Sequence, residues 1–369
     1  MSIRKRTWKS NDAEKTAWCV DYVDQHGKRR LKTFALKKDA EAWATNARHE
    51  VAHGIHAANS KITVEETIAL WIKHCIDENL ERSTVEQRQR HLKIHIAPFI
   101  GREKLAALAT PRLNAFLDQL RDAGRSVAMR RKVLTTLGTA LGFAKGRGLV
   151  AQNVAAGIKV KSDDRHKATG KQLRAGRDFP TKGDLKTIID RAPERWRPYI
   201  LTAIFTGMRA SELRGLHWSD VDLEADNVHV KQRADAWGTI GSPKSAAGTR
   251  DIPLVPMVVN TLKQWKLACP AGELVFPNDH GGVKSHGSFL QHTWEPLLRR
   301  WGLPAYNFHS LRHAAATLFI ETLQWTPKRI QTVMGHSSIT MTYDLYGHLF
   351  EREDDGAALK RLEAAVVAA

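Results

Sequence analysis

From Lys159 to Asp178 the chain reads KVKSDDRHKATGKQLRAGRD, with charges and glycines throughout and only Val160 and Leu173 as sizeable apolar side chains. A stretch like this has too little apolar surface to be drawn into a core, so it reads as an exposed linker. That rules out a single continuous core across the 369 residues. The chain must instead build separate lobes on either side. An apolar content of 42% is enough to give each lobe its own interior.

Ahead of the linker two patterns follow one another. AWCVDYVD alternates Trp18, Val20 and Tyr22 with polar neighbours, QHGK reads as a turn, and RRLKTFAL returns as a second strand. KKDAEAWATNARHEVAHG then sets Ala40, Trp43, Ala44 and Ala47 at helical spacing, with Gly54 as the stop. Lys28, Arg29, Arg30 and Lys32 make the strands basic, as suits either a solvated face or a sheet that enters a DNA groove. From Ile62 to Val160 the pattern is helical. Thr63 with Glu66, and Ser83 with Glu86, read as capping boxes, while Thr110 reads as a cap with Pro111 behind it. The expected layout is therefore a sheet-and-helix domain over 1–58, a helical domain over 61–160, a linker over 161–177 and a third domain over 178–369. The fold class is multidomain and mainly α with small β elements, the third domain being mixed α+β.

Lys and Arg number 57 against 39 Asp and Glu, a formal charge of +18. Such a surplus predicts a polyanionic partner through steering and counterion release, and says nothing about fold. The three cysteines, Cys19, Cys75 and Cys269, lie far apart, which argues against a disulfide framework or a cysteine zinc site. The amino terminus lacks the apolar core of a signal peptide, and no apolar run reaches membrane-spanning length. The expectation is a cytoplasmic protein without a membrane partner.

Chemistry concentrates after the linker. NFHSLRHAAATLF brings His309, Arg312 and His313 within five positions before the helix turns apolar. A metal site, an anion site and a solvated helix end all fit that pattern. A metal site would pair His309 and His313 with His336 or His348, but no carboxylate accompanies them and Arg312 would repel a dication. Upstream, an apolar helix breaks at Thr206–Gly207, and Arg209 and Glu212 follow at a spacing that lets the carboxylate hold the guanidinium. NVHVKQ and TRDIPL read as two strands with SPKSAAG in the turn between them, which puts Lys244 at or near a hairpin tip. TPKRIQTVMG is a helix capped by Thr326 and stopped by Gly335, with His336 next. SITMTYDLYGHLF is a last short helix carrying Tyr343, Tyr346 and His348. ALKRLEAAVVAA sets Leu359, Leu362 and Val366 on one face of an amphipathic tail.

TGMRASEL, the lysine hairpin, HSLRHAAAT and MGHSSITMTYDLYGHL closely resemble the tyrosine recombinase (phage integrase) family, in the family's order. The resemblance covers the whole chain. It implies an arm-type DNA-binding domain, a helical (SAM-like) core-binding domain and a catalytic domain in succession. It also implies Tyr346 as nucleophile, since the family's tyrosine usually lies nine or ten residues after the histidine that His336 matches. Arg209 and Arg312 would clamp the scissile phosphate, His309 and His336 would bond to it or move protons, and Lys244 would protonate the leaving oxygen. Glu212 would orient Arg209, Tyr343 would be a packing residue, and His313 a buttress within the core. No cofactor and no metal are implied. The implied partners are double-stranded DNA at attachment sites, further copies of the chain in a tetramer on DNA, and possible DNA-bending and excisionase proteins. The extra amino-terminal domain points to the integrase of a prophage or other mobile element. A resolvase or invertase, or a non-catalytic DNA-binding regulator, is the alternative.

Overall fold

The computed structural model describes the chain apart from residues 11–12, 24–26, 28, 53–60, 162–172, 351–358, 360–362 and 366–369. Two compact units, Met1–Arg165 and His166–Ala369, make up the chain. Most of the expected linker, most of the expected tail including Leu362 and Val366, and also Lys28 and Gly54, fall outside the described residues.

The first unit opens with an antiparallel sheet of β1 (Ser2–Ser10), β2 (Ala13–Val23) and β3 (Arg29–Phe34), with β2 central. β1 has little apolar alternation of its own and is recruited by pairing, Ile3 opposite Val20 and Lys5 opposite Trp18. α1 (Lys37–Ala52) lays Ala40 and Ala44 on Val20, flanked by Trp18, Phe34 and Trp43. The register divides the basic residues that the sequence groups together. Arg30 and Lys32 lie opposite Tyr22 and Val20 and so share the helix side, where the Lys32 ammonium sits 4.6 Å from the Trp43 ring centre. Arg29 points to the open face with Arg4 and Arg6.

A helical bundle follows: α2 (Val64–Asp77), α3 (Arg82–His91), a π-helical continuation over Leu92–Gly101, α4 (Thr110–Asp122) and α5 (Val127–Gly146). The Thr63 capping box forms as expected, its backbone N–H donating to Glu66 at 2.8 Å. The other two caps differ. Ser83 lies inside α3 and donates to the Glu81 carboxylate at 3.0 Å, because Glu81 is two residues away whereas Glu86 is engaged by Arg82. Thr110 is the first helical residue and donates its hydroxyl to the Val154 carbonyl at 3.1 Å. The helices enclose Phe116, Leu113, Leu137 and Ile96.

The second unit begins with α6 (Lys182–Arg191), α7 (Arg197–Thr206) and the short α8 (Ala210–Arg214). A small sheet joins β4 (Val221–Asp222), β5 (Asn227–Val230) and β8 (Arg250–Pro253). Between β5 and β8 a second hairpin of β6 (Arg233–Ala234) and β7 (Ile240–Gly241) intervenes. Lys244 is therefore not at the tip of a simple β5–β8 hairpin. It lies in the returning segment, just before a 3-10 turn at Ala246–Gly248. The chain continues through α9 (Pro256–Ala268), α10 (His286–Phe289), α11 (Glu295–Arg300), α12 (Ser310–Glu321), α13 (Pro327–Met334) and α14 (Ile339–Tyr346). One core runs beneath these helices. Among the described residues no helix is long and apolar enough to cross a membrane.

Candidate active site

The site is organised by the carboxyl end of α13. A helix end leaves carbonyls without intrahelical donors and carries partial negative charge. Here three successive carbonyls are taken by three arginines from different elements. Val333 accepts from Arg250 Nε at 2.6 Å, Met334 accepts from Arg312 Nη2, and Gly335 accepts from Arg209 Nη2 at 2.8 Å. Gly335 makes the arrangement possible. Its φ is +63°, and a Cβ there would lie 2.9 Å from both the Ala247 carbonyl oxygen and Arg250 Nη1.

The arginines are further tied by Glu212, which is 2% exposed. One of its oxygens accepts from Arg209 Nη1 at 2.8 Å and from Arg250 Nη1 at 3.1 Å. The other accepts from Arg250 Nη2 at 2.8 Å and from the Arg209 backbone at 2.9 Å. Burial by itself pushes the Glu212 carboxyl up, but the Arg250 bond and charge, with Arg209 beside them, outweigh it and bring the pKa down to about 2. Arg250 was not singled out in the sequence, although a signal existed. On β8 it alternates with exposed Asp251 and shares the buried face of Ile252, so a charge occupies an inward strand position.

Arg312, 4% exposed, also donates to the Gly207 carbonyl at 2.6 Å. Gly207 ends α7 at φ +62°, and a Cβ on it would meet Met334 Sδ at 3.0 Å. Burial and then Arg209 lower the Arg312 pKa, with Glu212 offsetting part of the effect, and the group stays cationic at neutral pH. Two guanidinium groups thus bond one carboxylate, and a third, that of Arg312, feels its charge without bonding it. The cluster keeps a surplus of positive charge that an anion would complete.

The amino end of α12 is fixed from below. Phe308 stacks on Tyr199 at 5.2 Å and meets Trp294 edge-on at 5.2 Å, while Trp294 donates to the Tyr306 carbonyl. His309 follows as the residue before the first turn. Its side chain is exposed at the rim, yet crowding by the surrounding protein first, then His313, Arg312 and Arg209, bring its pKa down to about 4. His336, 4% exposed, has its Nδ1 2.9 Å from the Thr342 hydroxyl, which ties it to α14. Burial, then Arg312 and Arg209, lower its pKa to about 3. Both imidazoles are therefore neutral at pH 7 and suited to donate a hydrogen bond to an anion without adding charge.

Tyr346 ends α14 with 1% exposure, and burial raises its phenol pKa above the usual range while Arg312 pulls the other way. Its hydroxyl lies 2.7 Å from His313 Nδ1. His313 is thus half-buried and in contact with the tyrosine, where the sequence suggested a core buttress. Tyr343 is 52% exposed and packs its ring towards Phe350 at 5.9 Å, facing away from the cluster. Lys244 is exposed and lines a cleft of about 290 Å³ with Arg209, Ser337 and Gly335. Lys231, a second lysine of the same hairpin region, pairs with Asp220 at 3.3 Å. Among the described residues no group of three or more His, Cys, Asp or Glu is placed to hold a metal ion.

The phage integrase family profile matches residues 181–353. A tyrosine recombinase XerC-like protein of Caldanaerobacter subterraneus is 23% identical over 90% of this chain and 92% of its own. Residues 181–353 thus form a domain of the tyrosine recombinase (phage integrase) family. Among other relatives of the chain, the ICEBs1 integrase of Bacillus subtilis is 21% identical over 88% of this chain and 90% of its own. In fold it is similar to the Tn1549 transposon integrase solved with a circular intermediate DNA, with a TM-score of 0.67 at 19% identity over 82% of this chain and 99% of that one. It is also similar to a lambda integrase tetramer bound to a Holliday junction, with a TM-score of 0.58 at 20% identity over 90% of this chain and 96% of that one.

Proposed function

We propose that this protein cuts and rejoins DNA at specific sites through a 3′-phosphotyrosine on Tyr346, as the integrase of a prophage or another mobile element. The observation that carries the reading is the surplus of buried guanidinium charge gathered beside one buried tyrosine. Phosphodiesters are inert, and enzymes remove ~8–23 kcal/mol of barrier in such cases. One acid or base supplies only ~10²–10⁴-fold, so positioned charge must supply much of the rest. Arg209 and Arg312 would hold the non-bridging oxygens, with forked donors suited to them. His309 and His336 would donate as neutral groups, and Lys244 would protonate the leaving 5′ oxygen. Glu212 and Arg250 would hold the clamp in shape. The phosphotyrosine conserves the bond energy, so rejoining needs no nucleotide.

The first unit would supply DNA affinity, the sheet domain as an arm-binding module and the helical bundle as the core-binding one. The working assembly would be a tetramer on DNA, with the tail after Phe350 docking on a neighbouring copy. The mobile-element reading draws on the ICEBs1 and Tn1549 relatives and on the sheet domain. Resolution or inversion is the second reading and draws on the XerC-like relative. Incubation with candidate attachment sites, denaturation and mapping of the linked residue tests the chemistry. The adduct should form in EDTA and lie on Tyr346. An adduct lost on chelation and restored by Zn²⁺ or Mg²⁺ would overturn the metal-free mechanism.

A further inference from the structure

Among the described residues the Tyr346 phenol has one hydrogen-bond partner, His313, whose Nδ1 lies 2.7 Å from the hydroxyl oxygen. The two come from different helices, α12 and α14, and their ring centres are 6.0 Å apart. His313 sits one residue after Arg312, so the element that clamps the phosphate also presents a nitrogen to the attacking atom. His309 packs edge-on against His313 at 5.3 Å and makes no bond to the tyrosine among the described residues.

We propose that His313 is a further catalytic residue, the group that takes the phenol proton as Tyr346 attacks phosphorus. The inference rests on the reading of Tyr346 as nucleophile. A neutral imidazole carries one proton on its ring, and placing it on Nε2 leaves Nδ1 as the acceptor. Burial and the Arg312 charge hold His313 below its ordinary pKa, which keeps it in this neutral form at pH 7. The same burial discourages a free phenolate, so the phenol needs an acceptor at the moment of attack. In cleavage the Oη–P bond forms as the P–O5′ bond breaks. The Oη proton passes to His313 Nδ1, and the leaving 5′ oxygen takes a proton from Lys244. In rejoining the 5′ hydroxyl attacks the phosphotyrosine and loses its proton to Lys244, and the protonated His313 returns its proton to Tyr346. Accumulating negative charge on the phosphoryl group favours the imidazolium at the point where it is formed.

The test is single-turnover cleavage of a nicked duplex by the full chain, with DNA affinity measured alongside. His313→Ala should bind DNA as the parent does and cleave ~10²–10³-fold more slowly. Because the position is half-buried, added imidazole should reach the vacated space and restore at least tenfold of the rate. His313→Gln can accept a hydrogen bond from the phenol but cannot take its proton, so it should remain as slow as the alanine variant. Cleavage by His313→Ala within threefold of the parent, or faster, would overturn the proposal, the faster case marking His313 as a restraint on the tyrosine. Recovery in His313→Gln, or no response to imidazole, would reduce His313 to a positioning residue. Tyr346→Phe runs in parallel. An adduct there would remove the nucleophile reading itself, a failure distinct from any outcome at position 313.

Discussion

On the amino-terminal sheet Arg4 and Arg6 project into solvent on the face turned away from α1. In the second unit Arg250 and Arg312 are sealed from solvent, and every described bond they make goes to a carbonyl or to Glu212. In sequence the two sets look alike, each arginine with a polar or charged residue beside it. In energy they are opposites. An exposed cation is worth ~0–1 kcal/mol to any partner it finds, whereas breaking a buried pair costs ~3–5 kcal/mol. The buried set can be rigid and therefore catalytic. The exposed set can only attract and steer.

The sharpest break of that comparison removes the tyrosine that the buried set surrounds. Tyr346→Phe deletes one oxygen and keeps the ring packing, and it touches none of the cations. DNA affinity and its salt dependence should match the parent, and covalent complex should be absent on denaturing gels. Tyr343→Phe should still form the adduct, since that side chain faces outward. An adduct in Tyr346→Phe that vanishes in Tyr343→Phe would place the nucleophile one turn earlier.

Arg250→Met probes the buried set by stability. Glu212 would be left buried with only Arg209, and denaturant unfolding at pH 7 should fall by ~3–5 kcal/mol. The pH dependence has a definite sign. The Glu212 carboxyl is depressed from 4.5 to about 2 in the folded parent, so its contribution is complete above pH 4.5 and fades as pH falls towards 2. In the variant the principal cause of that depression is gone and burial pushes the carboxyl up. The gap between parent and variant should therefore shrink on acidification from pH 7 to pH 4. A gap that stays constant would mean the Glu212–Arg250 pair is not what the substitution disturbs.

These cases also separate what a single sequence discloses from what it conceals. The Thr63 box and the Gly335 stop were legible because they depend on neighbours within one helical turn. The Arg209–Glu212 bond was legible for the same reason. Ser83 misled because local pattern cannot weigh Glu81 against Glu86. The Lys244 hairpin misled because β6 and β7 are two residues each and carry no usable periodicity. Arg250 meets Glu212 across 38 positions, and His313 meets Tyr346 across 33. No spacing rule spans such distances. The chemistry-bearing residue types were visible, and the partners that fix them were visible only once the chain had folded.

Arg312→Lys keeps the charge and loses the fork. A single ammonium cannot bond the Gly207 and Met334 carbonyls and still offer a pair of donors to a phosphate. Cleavage should drop by ~10²–10³, which is ~3–4 kcal/mol in the transition state. DNA affinity should change far less if, as proposed, the first unit supplies most of it. If the lysine variant cleaves within fivefold of the parent, point charge is sufficient and the geometric argument for arginine fails.

The smallest effect belongs to the exposed set and sharpens its contrast with the buried one. Arg6 lies on the open face of the sheet, opposite Ala17, while Lys32 lies on the helix side with its ammonium over Trp43. If the open face meets DNA, Arg6→Ala should weaken binding to a full-length attachment site and reduce the magnitude of the slope of log affinity against log salt by ~0.9, the loss of one phosphate contact. It should leave cleavage of a short core duplex, and the unfolding midpoint, unchanged. Lys32→Ala should do the reverse. It removes a cation–aromatic contact worth ~0.5–1 kcal/mol, so the sheet domain becomes less stable while the salt slope holds. Equal salt slopes for Arg6→Ala and the parent would show that the open face does not meet phosphates, and a slope altered by Lys32→Ala alone would assign DNA to the opposite side of the sheet.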